Sequence, residues 1–217
     1  MRIGVIGAGR IGGNLARRFI LADHDVTISF SSDRARLEAL AAEIGATASD
    51  PAGAAGNEVV VLSVPWGVID LALAEAGSLQ GRVVIDTTNQ FGPGGALDLG
   101  GRTAARVNAG RMPGARYTKC FNTLTAAFQA EAAERPASEK VVQWVAGDDG
   151  GAVETASGLV ADAGYVPVFL AGIDGCAVME APRRPGAVYG EEYRAPEAAA
   201  VLEAVRAGRP IPPAPAY

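Results

Sequence analysis

Histidine occurs once in this chain and cysteine twice, and lysine is almost missing, with two lysines beside 17 arginines. These scarcities narrow the chemistry. The single histidine, His24, sits in the turn Ala22-Asp23-His24-Asp25 and reads as a solvated turn residue. A histidine base, a His–Cys pair or a His-rich metal site is therefore out of reach. Cys120 and Cys176 form no disulfide framework and lack metal-ligand spacing, so no metal and a cytoplasmic location are expected. No apolar run reaches the roughly 18–20 residues needed to span a bilayer, and a first strand starting at residue 2 leaves no room for a cleavable signal. The net charge of −5 argues against nucleic acid as the main partner, because phosphate binding needs a basic face. The excess of arginine over lysine reads as base composition more than function.

What remains is ordinary for a globular protein: 217 residues, 49% hydrophobic and 20% charged. That length supports one sizeable core, or one domain with a small appendage. The informative feature is at the very start. Gly7-Ala8-Gly9-Arg10-Ile11-Gly12 follows the apolar run Ile3-Gly4-Val5-Ile6 and opens a helical stretch from Asn14 to Leu21. This G-x-G-x-x-G turn suits a dinucleotide pyrophosphate. The first glycine makes the tight turn, the second lets backbone approach the phosphates, and the third lets helix and strand pack closely. The helix N-terminus then offers free N–H groups and a partial positive charge.

Apolar runs and helical patterns alternate along the chain, as in a parallel sheet with crossover helices. Strands are expected at Arg2–Ile6, Asp25–Phe30, Glu58–Ser63, Arg82–Asp86, Arg116–Phe121, Val141–Ala146 and Val166–Phe169. Helices are expected at Ile11–Ala22, Asp33–Ile44, Trp66–Glu75, Leu99–Gly110, Gly151–Ala163 and Pro196–Ala207. The fold class is α/β: a Rossmann-like, doubly wound, mainly parallel sheet with helices on both faces. Residues 1–180 form the dinucleotide-binding domain. Residues 181–217 form a C-terminal arm with one short helix and a tail, Arg209–Tyr217, whose four prolines favour an extended, unpacked segment lying across a neighbouring subunit.

The end of the second strand bears on which dinucleotide is held. An NAD site places an acid about 20 residues past the glycines to hold the ribose hydroxyls. Here the segment is Ser29-Phe30-Ser31-Ser32-Asp33-Arg34. The hydroxyls of Ser31 and Ser32 with the Arg34 guanidinium suit a 2′-phosphate, which favours NADP over NAD. Asp33 is the counter-indication, unless it opens the next helix, where acids are favoured. Further along, Val64-Pro65-Trp66 supplies apolar cover for a nicotinamide face, with Pro65 suited to a first helical position. Trp66 reads equally as helix packing. Asn89 and Asn122 each end another strand and carry both donor and acceptor groups, useful for orienting a ring edge; plain turn formation is the alternative for each. Lys119 is left open between an acidic ligand and solvent. No acid–base pair stands out, so no catalytic residue is assigned beyond Asn122 as a possible orienting group.

Taken together, Gly7 to Gly12, Ser31-Ser32, Leu62-Ser63-Val64-Pro65-Trp66, Asp86-Thr87-Thr88-Asn89 and Lys119-Cys120-Phe121-Asn122-Thr123 resemble the NADPH:coenzyme F420 oxidoreductase family over roughly residues 1–180. The resemblance implies NADP(H) as cofactor, coenzyme F420 as co-substrate, and direct hydride transfer between nicotinamide and deazaflavin. Such a reaction needs two rings stacked in a dry pocket more than it needs proton-transfer groups. Many family members carry Ser-Arg where this chain has Ser31-Ser32, which moves the phosphate clamp to Arg34 or Arg36. The stretch Met179 to Tyr189 also departs from the family, and its Arg183 and Arg184 are open between the deazaflavin's acidic tail and a plain surface pair. Two other readings stay open: a reductase of a small imine or ketone, and a non-catalytic NADPH-binding sensor. A homodimer is expected, since nicotinamide enzymes often close their pockets across a two-fold.

Overall fold

The run Val59-Val60-Val61-Leu62 is buried at every position, which only a strand covered on both faces can achieve. The computed structural model describes residues 1–30 and 33–217 and places that run near the centre of an eight-stranded sheet. In chain order the elements are β1 (Arg2–Ile6), α1 (Arg10–Leu21), β2 (Asp25–Ser29), α2 (Arg34–Ile44), β3 (Thr47–Ala48), α3 (Pro51–Ala55), β4 (Val59–Leu62) and α4 (Ile69–Ala76). There follow β5 (Val83–Asp86), the hairpin strands β6 (Phe91–Gly92) and β7 (Gly95–Ala96), α5 (Ala104–Arg111), β8 (Arg116–Lys119) and α6 (Ala126–Ala132). The last four are β9 (Val142–Gly147), α7 (Gly150–Asp162), β10 (Val166–Ala171) and α8 (Ala195–Arg206).

The sheet order is β10-β9-β8-β5-β4-β1-β2-β3. Every neighbouring pair is parallel except β8 with β9, which run antiparallel through Thr118↔Gly147 and Lys119↔Ala146. Alternation along each strand sorts the core into two layers. Val60, Leu62 and Val84 face α4, α5 and α8, while Val59, Val61 and Ile85 face α1, α2 and α7. The doubly wound architecture expected from the sequence is what forms.

Differences in boundary have local causes. The expected strand Arg116–Phe121 stops at Lys119, because Phe121 takes a left-handed φ of 60°. The expected helix Leu99–Gly110 begins only at Ala104: Gly100 and Gly101 are left-handed, and Thr103 caps the helix by accepting from Arg106 N at 2.9 Å. The stretch Trp66–Glu75 divides into a 3₁₀ turn, Trp66–Val68, followed by α4. Two short helices went unread although their caps are legible. Asp50-Pro51 opens α3 with Asp50 accepting from Gly53 N at 2.7 Å, and Thr125 caps α6. His24 is not a solvated turn residue. Its ring lies between the Met1 amine at 3.1 Å and the Asp162 carboxylate at 3.0 Å.

The tail Arg209–Tyr217 has no helix or strand, yet it packs on its own chain. Ile211 is buried, Pro212 O accepts from the Tyr193 hydroxyl at 3.1 Å, and the Arg194 guanidinium lies 3.9 Å from the Tyr217 ring centre. Helix α8 buries Ala198, Val201 and Ala204 in the same apolar layer as Trp144.

Gly4 shows how closely the layers approach. A Cβ there would stand 1.9 Å from the Ala54 carbonyl oxygen of α3. Backbone cannot yield as a side-chain tip can. Gly4→Ala should lower unfolding stability by about 1–3 kcal/mol or more, and an unchanged urea midpoint would contradict the packing described.

Candidate functional site

Strand order reverses between β1 and β4, because the chain first builds outward through β2 and β3 and then returns. Such a switch point opens a crevice at the carboxyl ends of the strands. Hydrogen bonds running past the strand ends shape it: Gly7 N donates to Ser29 O at 3.0 Å and Ser63 N to Ile6 O at 2.8 Å. The three glycines of the turn then divide by role. Gly7 has φ 106°, and a Cβ on it would lie 2.3 Å from Ser63 O. At Gly12 it would lie 2.0 Å from Gly7 O. At Gly9 it would meet no atom within 4 Å. Two glycines serve packing, and the third keeps open space beside the helix terminus.

Gly9 is also the N-cap of α1, with no side chain bonded across the helix end. The first-turn N–H groups are therefore free for an anion. Together with the open side at Gly9, this fits a dinucleotide pyrophosphate. The groove in front measures about 670 Å³ and includes Gly7, Ala8, Gly9, Arg10, Arg17, Phe30, Arg36, Val64 and Pro65. Ser31 and Ser32 lie outside the described residues. Arg34 is already engaged, with its Nε 2.7 Å from Glu38 Oε1 and a bond to Ser49 O at 3.2 Å, and it lines a neighbouring 500 Å³ recess with Pro51 and Leu71. Of Arg34 and Arg36, it is Arg36 that lines the groove. Two residues apart on a helix, the two side chains leave α2 about 200° apart, so they cannot serve one site equally. Asp33 caps α2, its Oδ1 accepting from Arg36 N at 3.0 Å.

A second cleft, about 790 Å³, shares Gly9, Arg10 and Ser63 to Pro65 with the groove and continues past Ile11 and Trp66 along the ends of β5 and β8. It reaches Arg183, Tyr189 and Gly190, with Phe91 also lining it. Trp66 plays both roles open to it: it lines this cleft and is buried, with the Arg111 guanidinium 4.7 Å from the ring centre. The floor beneath is held by buried charge. Asp86 and Lys119 are both fully buried, with Lys119 Nζ 3.3 Å from Asp86 Oδ2. The carboxylate also accepts from the Tyr117 hydroxyl, Asn108 Nδ2 at 2.8 Å and Thr88 N at 2.8 Å. Burial first, then the Asp86 charge and its hydrogen bond, pushes the Tyr117 phenol well above its ordinary range, so Tyr117 remains a donor. Lys119 completes the arrangement by donating to Thr88 O at 2.7 Å. Neither sequence reading of Lys119 holds: it meets no solvent and serves as the counter-charge under the floor.

Asn89 and Asn122 come together at the strand ends. Asn89 Nδ2 donates to Asn122 O at 2.8 Å, and Asn122 Nδ2 donates to Asn89 Oδ1 at 3.2 Å and to Met179 O at 2.6 Å. Both line the cleft, but their amide N–H groups are committed to joining β5, β8 and the 179–181 segment. Two buried oxygens beside them, Asn122 Oδ1 and Thr123 Oγ1, have no partner among the described residues. Phe121, with its left-handed φ, makes the bend that brings both side chains there; a bulky residue in that region marks local strain. Cys120 is buried, and desolvation raises its thiol far above the reactive range. Arg183 pairs with Glu191 Oε1 at 2.7 Å while lining the cleft. Arg184 bonds the carbonyls of Ala177, Glu180 and Pro182 and lines a separate 260 Å³ recess. Sequence reading missed Thr123 and Tyr189 as lining residues, and named Arg36 only beside Arg34. Among the described residues no helix is long and apolar enough to cross a membrane, and no cluster of three or more His, Cys, Asp or Glu could hold a metal.

Residues 2–90 match the family described as NADP oxidoreductase, coenzyme F420-dependent, so the resemblance read from the sequence holds over β1 to β5. No curated protein matches the chain. Among solved structures, a hypothetical protein from Sinorhizobium meliloti is 28% identical, with a TM-score of 0.80 over 89% of this chain and 96% of that one. A candidate F420-dependent NADP-reductase from an Arthrobacter species is 24% identical, with a TM-score of 0.70 over 82% and 87%. An imine reductase variant from Myxococcus stipitatus, in complex with NAD+, is 23% identical with a TM-score of 0.61. It is aligned over 81% of this chain, which spans only 55% of its length.

The buried pair gives a direct test. Lys119→Met removes the counter-charge and leaves Asp86 buried, which should cost about 3–5 kcal/mol of unfolding free energy. Equal denaturation midpoints for variant and parent would show that the pair does not hold the floor.

Proposed function

We propose that this chain is an NADP(H)-dependent oxidoreductase that passes a hydride between the nicotinamide and a deazaflavin, coenzyme F420. The observation that carries this reading is the continuity of two spaces. A groove ending on an uncapped helix terminus and an open glycine runs into a larger cleft walled by Val64, Pro65 and Trp66. The family match over residues 2–90 supports the choice of cofactor and co-substrate. Bound there, NADPH supplies the hydride.

The chain's own residues bind, orient and exclude water. Free N–H groups of α1 take the pyrophosphate, and Arg10 stands beside them. Arg36, with no ion pair within the described residues, takes the 2′-phosphate, and this favours NADP over NAD. Val64, Pro65 and Trp66 keep the nicotinamide end apolar. Asn122 Oδ1, buried and unpartnered, offers an acceptor to the carboxamide N–H₂. Positioning of two rings in one dry cleft supplies most of the rate.

A second reading, reduction of a small imine or ketone, draws on the fold shared with imine reductases and reductive aminases. This chain spans 55–56% of the length of those proteins, and the family match over residues 2–90 favours the deazaflavin.

An anaerobic absorbance assay with oxidised coenzyme F420 separates the two. Bleaching of the deazaflavin band with NADPH, and far less with NADH, is the expected result; turnover of imines or ketones without bleaching would favour the second reading. Gly9→Val should abolish NADPH binding while lowering the melting temperature far less than the same change at Gly7 or Gly12, since a Cβ at Gly9 meets no protein atom within 4 Å. Arg36→Ala should weaken NADPH by roughly 10–100-fold, the loss of about 1.5–3 kcal/mol for a charged hydrogen bond, and NADH hardly at all.

A further inference from the structure

Hydride transfer leaves a negative charge on the acceptor, which calls for a nearby proton or hydrogen-bond donor. Among the described residues lining the larger cleft, the ionisable side chains are Arg10, Arg183 and Tyr189. Neither guanidinium gives up a proton in the accessible range. Arg183 is in addition bound by both nitrogens to the Glu191 carboxylate, at 2.7 and 3.0 Å. Among the described residues no histidine, carboxylate, lysine or thiol lines the cleft. Asn89 and Asn122 have spent their N–H groups on each other and on backbone, the Thr87 hydroxyl donates to Ser63 Oγ at 3.1 Å, and the other lining hydroxyls, of Ser63, Thr88, Thr123 and Thr125, are far weaker acids than a phenol.

We infer that Tyr189 is the acid that faces the hydride acceptor and stabilises the charge developing on it. This inference rests on the hydride-transfer reading above. The phenol is half-buried and its hydroxyl makes no hydrogen bond within the described residues. Its backbone, by contrast, is fixed on both sides: Tyr189 N donates to Val178 O at 3.3 Å and Gly190 N donates to Thr123 O at 2.8 Å. A segment held at both backbone positions therefore sets Tyr189 in the cleft wall, with a hydroxyl that no described residue bonds. Burial raises its pKa, so the phenol is a protonated donor at neutral pH.

The step balances. The reduced nicotinamide loses a hydride, and the acceptor gains it at carbon. The displaced electron pair moves to the acceptor's conjugated oxygen or nitrogen, which takes the Tyr189 proton, and water then restores the phenol.

Tyr189→Phe tests this with little risk to folding, because the lost hydroxyl has no partner among the described residues. With coenzyme F420 as acceptor, the variant should bind NADPH as tightly as the parent by fluorescence titration. Its kcat should fall by about 100-fold, the lower range for a general acid, and the alkaline limb of the pH–rate profile should disappear. Unchanged kcat and an unchanged profile, with the parent active, would overturn the inference while leaving the hydride-transfer reading intact. If the parent binds NADPH but does not bleach the deazaflavin, that reading of the acceptor falls, and the phenol itself decides the inference. The phenolate absorbance of parent minus variant should then titrate about one pH unit lower with NADP+ than with NADPH bound, because the oxidised ring is cationic. Identical titrations would place Tyr189 away from the reacting ring and overturn the proposal. Failure to bind NADPH at all would overturn both.

Discussion

A lysine and an aspartate facing each other at the inner ends of β5 and β8, both without solvent contact, set the constraint on which the rest of the site depends. Neither charge survives there alone; moving a single ion from water into protein costs several kcal/mol even after relaxation. The pair must therefore close, and in closing it draws in Tyr117, Asn108 and all three polar groups of Thr88. Two residues past the strand end, the backbone of Thr88 is then held at both its N–H and its carbonyl. Asn89 and the Asn122 turn inherit that order, and the far wall at Met179 to Ala181 is tied to them. The cleft owes its shape to a floor that has one way to satisfy its charges.

Packing and binding share the glycine turn but do not share its glycines. Gly7 and Gly12 are filled in by neighbouring backbone, so their lack of a side chain serves the close approach of α1 to the switch point. Gly9 faces nothing, and its missing side chain matters only when something occupies the groove. Separate positions for the two demands allow a rigid terminus to present unbonded N–H groups without a cost in core packing.

The segment from Met179 onward gives the larger cleft its second wall. Met179 O and Ala181 N bond the paired asparagines, Gly190 N bonds Thr123 O, and α8 closes the apolar layer beneath β9 and β10. Arg183 and Tyr189 thus enter a cleft whose other walls come from residues 9 to 126.

How much of this was legible varies with how local the cause is. The glycine turn, the strand runs and the doubly wound order follow from residue spacing, because backbone sterics and apolar periodicity act over a few residues. So do the left-handed stops at Gly100 and Gly101. The cap at Asp33 was read correctly as an option for the same reason. Lys119 could not be read: its environment is set by Asp86, 33 residues away, and only strand pairing brings a buried carboxylate within reach. Arg34 and Arg36 look interchangeable in the sequence, and only the helix phase and a carbonyl at Ser49 decide which enters the groove. Tyr189 carried no signal at all. The sequence by itself determined the fold class and the glycine turn that opens the first helix, since both arise from local geometry; the tertiary structure alone decided which charges are spent and which polar groups face the cleft, since those depend on partners distant in the chain.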